Sequence, residues 1–393
     1  MSKMLIDVGS TYFKVSTKKR IEHHFRNFQI SIYDDLMKKC GPLINGYDKE
    51  NIYICSSANG GLSTLIIGIT ESFSLKYATN IAYNSGINII ETILYKNIST
   101  YAKPKEHIDV VIIVGGIDSK KNIFSKDLIE YLEQITYSNI VYVGSSSQTD
   151  FLTTYIQNLV VLPNIIDNKL KMYEDDLKNY LTNLYASDIE GKKDIKDLYK
   201  LTLNQIYSTP YIVNQALPKV STILDVIDPF IVIDIGGATT DIHYSKELVD
   251  DNIITTNEYD RLVFKKLGVY KSADSLVFSA KQNEFVYELL AYLNKTENIL
   301  EKRDEEATRL LMQLAIFLVL YKVSHQHTSY LNIKLTSLNS IVLTGGISKV
   351  LSDEEINTIV EFFYKKILCY HTFPNVVIDR DYAVWTLARE DFN

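Results

Sequence analysis

Asp7 and Asp234 stand in nearly the same sequence setting, and that setting suits the handling of phosphate. Asp7 closes the run Leu5-Ile-Asp7 and is followed by Val8-Gly9-Ser10-Thr11. Asp234 closes Ile231-Val-Ile-Asp234 and is followed by Ile235-Gly236-Gly237-Ala238-Thr239-Thr240-Asp241. Each apolar, mostly β-branched run reads as a buried strand that stops at a tight glycine turn. Glycines at 9, 236 and 237 let backbone N–H groups approach phosphate oxygens, and Ser10, Thr11, Thr239 and Thr240 add hydroxyl donors. A carboxylate repels bare phosphate, so Asp7 and Asp234 are expected to hold Mg2+ through its water shell. One such turn is a weak signal. Two of them, each behind an apolar strand and half a chain apart, can face one another across a single polyphosphate.

Alternating strand and helix patterns carry these turns and predict an α/β protein with a parallel or mixed sheet. After the first hairpin, Ile52–Cys55 reads as a strand ending in Ser56-Ser-Ala-Asn-Gly-Gly61. Leu62–Thr70 is apolar, and Ser74–Ser85 has helical spacing and stops at Gly86. Val110–Val114 runs into Gly115-Gly116-Ile-Asp118 and Ile140–Val143 into Gly144-Ser-Ser-Ser147, with a helical pattern at Ser125–Gln134 between them. Gly115-Gly116 reads as a packing turn. Lys169–Lys200 predicts one or two charged surface helices. Thr209-Pro210 and Leu217-Pro218 bracket a helical segment, and Glu284–Tyr321 predicts the longest helical stretch. Ser340–Leu343 is a buried strand that enters Thr344-Gly-Gly-Ile-Ser348. A strand at Asn375–Ile378 and a short helix at Ala383–Arg389 close the chain.

Size and charge narrow the class. The 393 residues leave room for two domains. A formal net charge of −7 argues against general nucleic-acid binding, and no direct sequence-specific binding is expected. The three cysteines, Cys40, Cys55 and Cys369, form no metal spacing or disulfide framework. His243, His325 and His327 lack a carboxylate or cysteine set to complete a metal site and read as structural or solvent-facing. The chain enters its first strand without a signal-peptide pattern, and the apolar run Leu310–Tyr321 is too short to span a bilayer. No membrane association and a cytoplasmic location are expected.

Three elements line up in order: Asp7-Val-Gly-Ser-Thr-Tyr-Phe-Lys14, Asp234-Ile-Gly-Gly-Ala-Thr-Thr-Asp241 and Leu343-Thr-Gly-Gly-Ile-Ser348. Together they resemble the phosphate-one, phosphate-two and adenosine motifs of the superfamily of actin, sugar kinases and heat-shock chaperones. The resemblance implies two actin-like (RNase H-like) domains around a nucleotide cleft holding ATP or ADP with Mg2+. Asp7, Gly9, Ser10, Thr11 and Lys14 match its first hairpin. Asp234, Gly236, Gly237 and Thr239 match the second, and Gly345 and Gly346 match the turn against which adenosine lies. Lys14 takes the place of a lysine directed at the phosphates. Domain one is expected at 1–221 and domain two at 222–374, with 375–393 returning to domain one.

Cys55-Ser-Ser-Ala-Asn-Gly-Gly-Leu62, Val114-Gly-Gly-Ile-Asp118, Gly236-Gly-Ala-Thr-Thr-Asp-Ile-His243 and Asp379-Arg-Asp-Tyr-Ala383 are more closely similar to the MutL-type proteins encoded beside glutamate mutase. That resemblance implies an ATPase that reactivates a cobalamin enzyme. Members of that family are longer, particularly in the second half.

ATP hydrolysis in such a cleft requires charge neutralisation by Mg2+, backbone amides and Lys14, and a polar group that orients water. Asp234 is the first candidate for metal positioning and water polarisation, and Gln215, in the helix before the second turn, is the second. Three functions use such a switch. The first is a self-assembling, ParM-like filament for plasmid DNA segregation with a small DNA-binding adaptor, favoured by the short chain. The second is a MutL-like reactivating chaperone of a cobalamin-dependent mutase, favoured by motif detail. A small-molecule kinase comes last, because no sugar-binding acid–base pair is evident.

Overall fold

The computed structural model describes residues 3–57, 62–85, 87–119, 121, 123–191, 193–248, 259–264, 267–302, 304–325 and 333–390. Strands fall in three groups along the chain. The first holds β1 (Met4–Val8), β2 (Tyr12–Ser16), β3 (Ile21–Phe25) and β4 (Ile52–Ser56). The second holds β5 (Leu62–Gly68), β6 (Ile87–Leu94), β7 (Ile108–Val114), β8 (Tyr137–Val143) and β9 (Val160–Leu162). Then follow β10 (Tyr207–Ser208), β11 (Phe230–Ile235), β12 (Thr240–Ser245), β13 (Tyr259–Phe264), β14 (Ser340–Gly345) and β15 (Asn375–Ile378).

Two of the three sheets repeat one plan. In the first, β10-β4-β1-β2-β3, an antiparallel meander β1–β2–β3 is extended by β4, parallel to β1, and then by β10. The second, β13-β12-β11-β14-β15, builds the same meander from β11–β12–β13 and adds β14 and β15 in parallel. Each is the sheet of one of the two domains expected from the sequence. The interior strands β1 and β14 are wholly buried, as their near-continuous apolar runs require.

The third sheet has order β6-β5-β7-β8-β9 and is parallel throughout. It is inserted between β4 and β10 as a unit of its own within the expected first domain. One face shares a core with the first sheet, where Ile66, Val110, Ile112 and Val141 join Met4, Ile6 and Val8. The other face packs Leu65, Ile67, Val111 and Ile113 on the helix Lys126–Leu132. The Gly115-Gly116 turn is a packing turn, as expected. A Cβ on Gly115 would lie 2.2 Å from the Tyr142 hydroxyl.

Three expectations change. The helix Thr209–Ile223 runs through Pro218 instead of stopping before it. It packs on the turn Val384–Glu390, where Trp385 and Val384 meet Ile212, Ala216 and Leu217, and this packing overrides the proline signal. The stretch 284–321 is two helices, Glu284–Tyr292 and Glu305–Ser324. Asn294 takes a left-handed backbone, φ 55°, and a 3-10 turn follows at Glu297–Glu301. The C-terminal strand adds to the second sheet beside β14, whereas the turn Val384–Glu390 that follows it packs on the helix Thr209–Ile223 and in one cluster with Leu5 and Cys55 of the first sheet.

The second domain's core is built on Glu305–Ser324, which reaches 20 residues and buries Leu310 through Leu320 without a break. By length and composition it is apolar enough to cross a membrane, but 72% of its apolar window is buried inside the protein. Each fully buried aliphatic side chain there contributes about 1.5–3 kcal/mol.

Candidate nucleotide cleft

The two hairpins turn in the same way. Gly9 N–H donates to Tyr12 O at 2.9 Å, and Gly236 N–H donates to Thr239 O at 2.9 Å. Both turns then leave amides without acceptors. Among the described residues, the N–H groups of Ser10, Thr11, Gly237 and Ala238 bond to nothing. The turns also touch. A Cβ on Gly237 would fall 2.0 Å from Thr11 Oγ1 and 3.3 Å from Ser10 Oγ. Only glycine lets the second turn come this close to the first.

A cleft of about 510 Å3 opens between them, within the size range of small-molecule sites. It is lined by Asp7, Gly9, Ser10, Thr11, Lys14, Asp234, Gly236, Gly237, Ala238, Thr239, Gly345 and Gly346. Twelve of the fourteen residues singled out in the sequence therefore meet in one place. Thr240 does not. Its side chain is fully buried on the far side of the hairpin, where the hydroxyl donates to Leu267 O at 2.8 Å. Gln215 does not line the cleft either. The helix Thr209–Ile223 reaches the cleft through Thr209 and Pro210, and Gln215 stands about 9 Å further along its axis. Of the turn after β4, Ser57 lines the cleft, and Ala58–Gly61 lie outside the described residues.

Charge in the cleft follows from strand register. Asp7 and Lys14 are directly opposite on β1 and β2, and Lys14 Nζ reaches Asp7 Oδ2 at 2.9 Å. Burial opposes the ammonium, but Asp7 and Asp234 outweigh it and push the lysine pKa above its ordinary value. The other Asp7 oxygen accepts from Thr209 Oγ1 at 2.6 Å and from the Cys55 thiol at 3.6 Å. Burial, with Asp7 next, pushes the Cys55 pKa well up, so the thiol keeps its proton to donate.

In the second hairpin the equivalent cross-strand pair is Asp234 and Asp241, two like charges. Arg261 on β13 resolves half of the conflict. It is buried and donates to Asp241 Oδ1 from Nε at 2.9 Å and from Nη2 at 2.6 Å, while Thr239 Oγ1 donates to Asp241 Oδ2 at 3.1 Å. Asp234 has no hydrogen-bond donor among the described residues. Burial pushes its carboxyl up to about 6 against the pull of Lys14, and Asp241, Asp7 and Asp379 add to the rise. A carboxylate short of both donors and positive charge fits water-mediated Mg2+. Asp7 is already fully engaged by protein groups and fits an outer role.

Several cleft residues escaped sequence reasoning. Tyr382 has a left-handed backbone, φ 53°, and its ring centre lies 4.9 Å from Lys14 Nζ. Asp379 holds it there. Its carboxylate accepts from Thr344 Oγ1 at 2.9 Å, Ala383 N at 2.7 Å and Val384 N at 3.0 Å. The Asp379–Ala383 motif carried this information without its geometry. Thr308, Met312 and Val350 form an apolar wall near Gly345-Gly346, and Tyr270 and Lys271 stand at the rim. His243 is buried with Nδ1 3.3 Å from Asn214 Oδ1, and burial lowers its pKa well below the usual value, so it is a neutral structural group.

Thr209 offers a direct check. Thr209→Val keeps the shape and removes the donor to Asp7. It is expected to lower stability by about 1–2 kcal/mol in urea unfolding. An unchanged midpoint would show that Asp7 does not depend on this bond.

Comparison with known proteins gives a consistent relationship over the chain. The sequence profile of the family described as MutL protein matches residues 3–388. Protein MutL of Clostridium tetanomorphum is 23% identical over 265 residues, covering 61% of this chain and 57% of that protein. The chain thus spans little more than half the length of the curated relative it matches. Among solved structures, the activator of 2-hydroxyisocaproyl-CoA dehydratase from Clostridium difficile with bound ADPNP is 12% identical. The match has a TM-score of 0.31 over 98% of this chain and 92% of that one. A non-polymerisable quadruple mutant of pCBH ParM is 12% identical, with a TM-score of 0.29 over 100% and 99%.

Proposed function

This chain belongs to the MutL protein family, and from that membership we propose that it is an ATP-driven reactivating chaperone of a cobalamin-dependent mutase, acting in the cytoplasm. The observation that carries the nucleotide part is the pair of touching turns, whose four acceptor-free amides meet in one cleft. Backbone amides held in fixed directions are anion-binding groups. The family match over residues 3–388 favours reactivation over DNA-segregating filaments.

In this reading Ser10, Thr11, Gly237 and Ala238 hold the phosphate chain, and Gly345-Gly346 with Met312 and Val350 receive adenosine. Lys14 directs its ammonium at the phosphates while balancing Asp7. Mg2+, when bound, supplies charge neutralisation at the phosphoryl group. Asp234 would hold it through water, with Asp7 in support. Asp234 would also be placed to polarise the attacking water. Because the two turns belong to different domains, nucleotide occupancy biases the angle between them.

The test is to incubate pure protein with Mg2+ and a non-hydrolysable ATP analogue, then centrifuge, and in parallel to add it with ATP to an inactivated cobalamin mutase. Protein is expected to stay in the supernatant and to restore mutase turnover. A nucleotide-dependent pellet without any rescue would replace this reading with the filament one.

A further inference from the structure

Five lining side chains are acidic or basic: the carboxylates of Asp7, Asp234 and Asp241 against the ammoniums of Lys14 and Lys271. Lys14 is engaged with Asp7 at 2.9 Å, and Asp241 is matched by Arg261 at 2.6 Å. Asp234 is left over, and a magnesium–nucleoside triphosphate complex brings further negative charge. The lining residue free to answer it is Lys271, which makes no ion pair with any described residue.

Its backbone is fixed to the second turn. Val269 N–H donates to Gly236 O at 3.1 Å, and Tyr270 and Lys271 N–H both donate to Gly237 O, at 3.0 and 2.7 Å. Ser272 Oγ donates to Ala238 O at 2.7 Å. Gly268 lies so close that a Cβ there would stand 2.3 Å from the Ala238 carbonyl carbon. Residues 268–272 are therefore a second layer on the phosphate turn and must move with it.

The side chain leans the other way, across the rim. Lys271 Nζ lies 5.6 Å from the centre of Phe28, which belongs to the first domain. Tyr270 stacks on the same ring at 6.0 Å and meets Phe25 edge-on at 5.8 Å. Burial, helped by nearby Arg26, lowers the Lys271 pKa, so its ammonium gains from an anion placed beside it. Arg26 itself is buried and donates from Nη1 to Gly9 O at 3.0 Å, which holds the first turn.

We propose that Lys271 is a phosphate-binding residue contributed by the second domain, complementing Lys14 from the first, so that filling the phosphate site draws the rim closed. This rests on the nucleotide reading above. Lys271 is partly covered on its Phe28 side and otherwise open to solvent at the rim, so its substitution leaves the core untouched.

Affinities of wild type, Lys271→Gln and Lys271→Arg for Mg-ATP and for adenosine are measured by calorimetry at one ionic strength. Lys271→Gln is expected to weaken Mg-ATP binding about tenfold, the effect of losing one charge-assisted hydrogen bond. Adenosine binding stays unchanged, and Lys271→Arg recovers most of the loss. Mg-ATP affinity that is the same in Lys271→Gln and wild type overturns the proposal, as does an equal loss for adenosine, which marks a purely structural role. Wild-type protein that binds no nucleotide overturns the nucleotide reading along with it, and that outcome is distinct from either of the others.

Discussion

Asp234→Ala is expected to lower Mg2+-dependent ATP hydrolysis by about a hundredfold or more while the chain stays folded. Asp234 lines the cleft, has no donor among the described residues, and is buried beside other carboxylates, a setting that a cation would relieve. Phosphate release at saturating ATP is the measurement. Turnover within a few fold of wild type would remove Asp234 from the mechanism.

The same residue predicts an opposite effect on stability. Its carboxyl sits at about 6 in the nucleotide-free protein against 3.8 when unperturbed. Between those values the folded chain holds a proton that the unfolded chain has released. Stability from this group is therefore present at low pH, falls as pH rises from about 4 to about 6, and is lost above that. Asp234→Asn abolishes this slope. At pH 7 without nucleotide the variant should melt several degrees above wild type, and near pH 4 the two should coincide. Coincident melting curves at both pH values would mean that Asp234 is ionised without penalty.

Gly345→Ala is expected to cost at least about 2 kcal/mol and to abolish nucleotide binding. Gly345 ends β14 with φ at +89°, a backbone conformation that alanine adopts only under strain. The added Cβ would lie 2.4 Å from Ile235 O and 2.7 Å from Asp234 Oδ1. Ile235 and Gly345 are register partners of adjacent strands, so relief requires β14 to shift against β11 and to carry Asp234 out of place. Gly346→Ala is the control. Its Cβ would meet only the Tyr382 hydroxyl, at 3.5 Å, and the fold should survive. Denaturant unfolding and nucleotide titration of both variants decide the matter. A Gly345→Ala protein as stable as the control would refute the backbone account.

The sequence by itself determined the paired turns. A β-branched run that ends in Asp-x-Gly is local information, because strand, turn and acceptor-free amides all lie within eight residues. The cleft residues of the two turns were legible for that reason, and Lys14, Gly345 and Gly346 through the resemblance. Lys14 was reached through the superfamily's first hairpin, and the strand register, which sets Asp7 opposite the residue seven positions on, explains its place physically. What the tertiary structure decided depends on contacts between distant segments. Thr209 reaches Asp7 from 202 positions away, because β10 lies against β4 and aims the next helix at the turn. Gln215 was a reasonable choice by chemistry, but its place along that helix keeps it off the cleft. Arg261 had no signal of its own until β13 paired with β12 and set it against Asp241. Pro218 stays helical because packing against Trp385 outweighs a local preference. The inserted parallel sheet was hidden because its strands have the same buried, β-branched character as those of the first sheet, and composition does not say which strands pair. Lys271 is the plainest case. As a sequence it is one of many lysines, and only the loop that folds back onto Gly237 makes it a cleft residue.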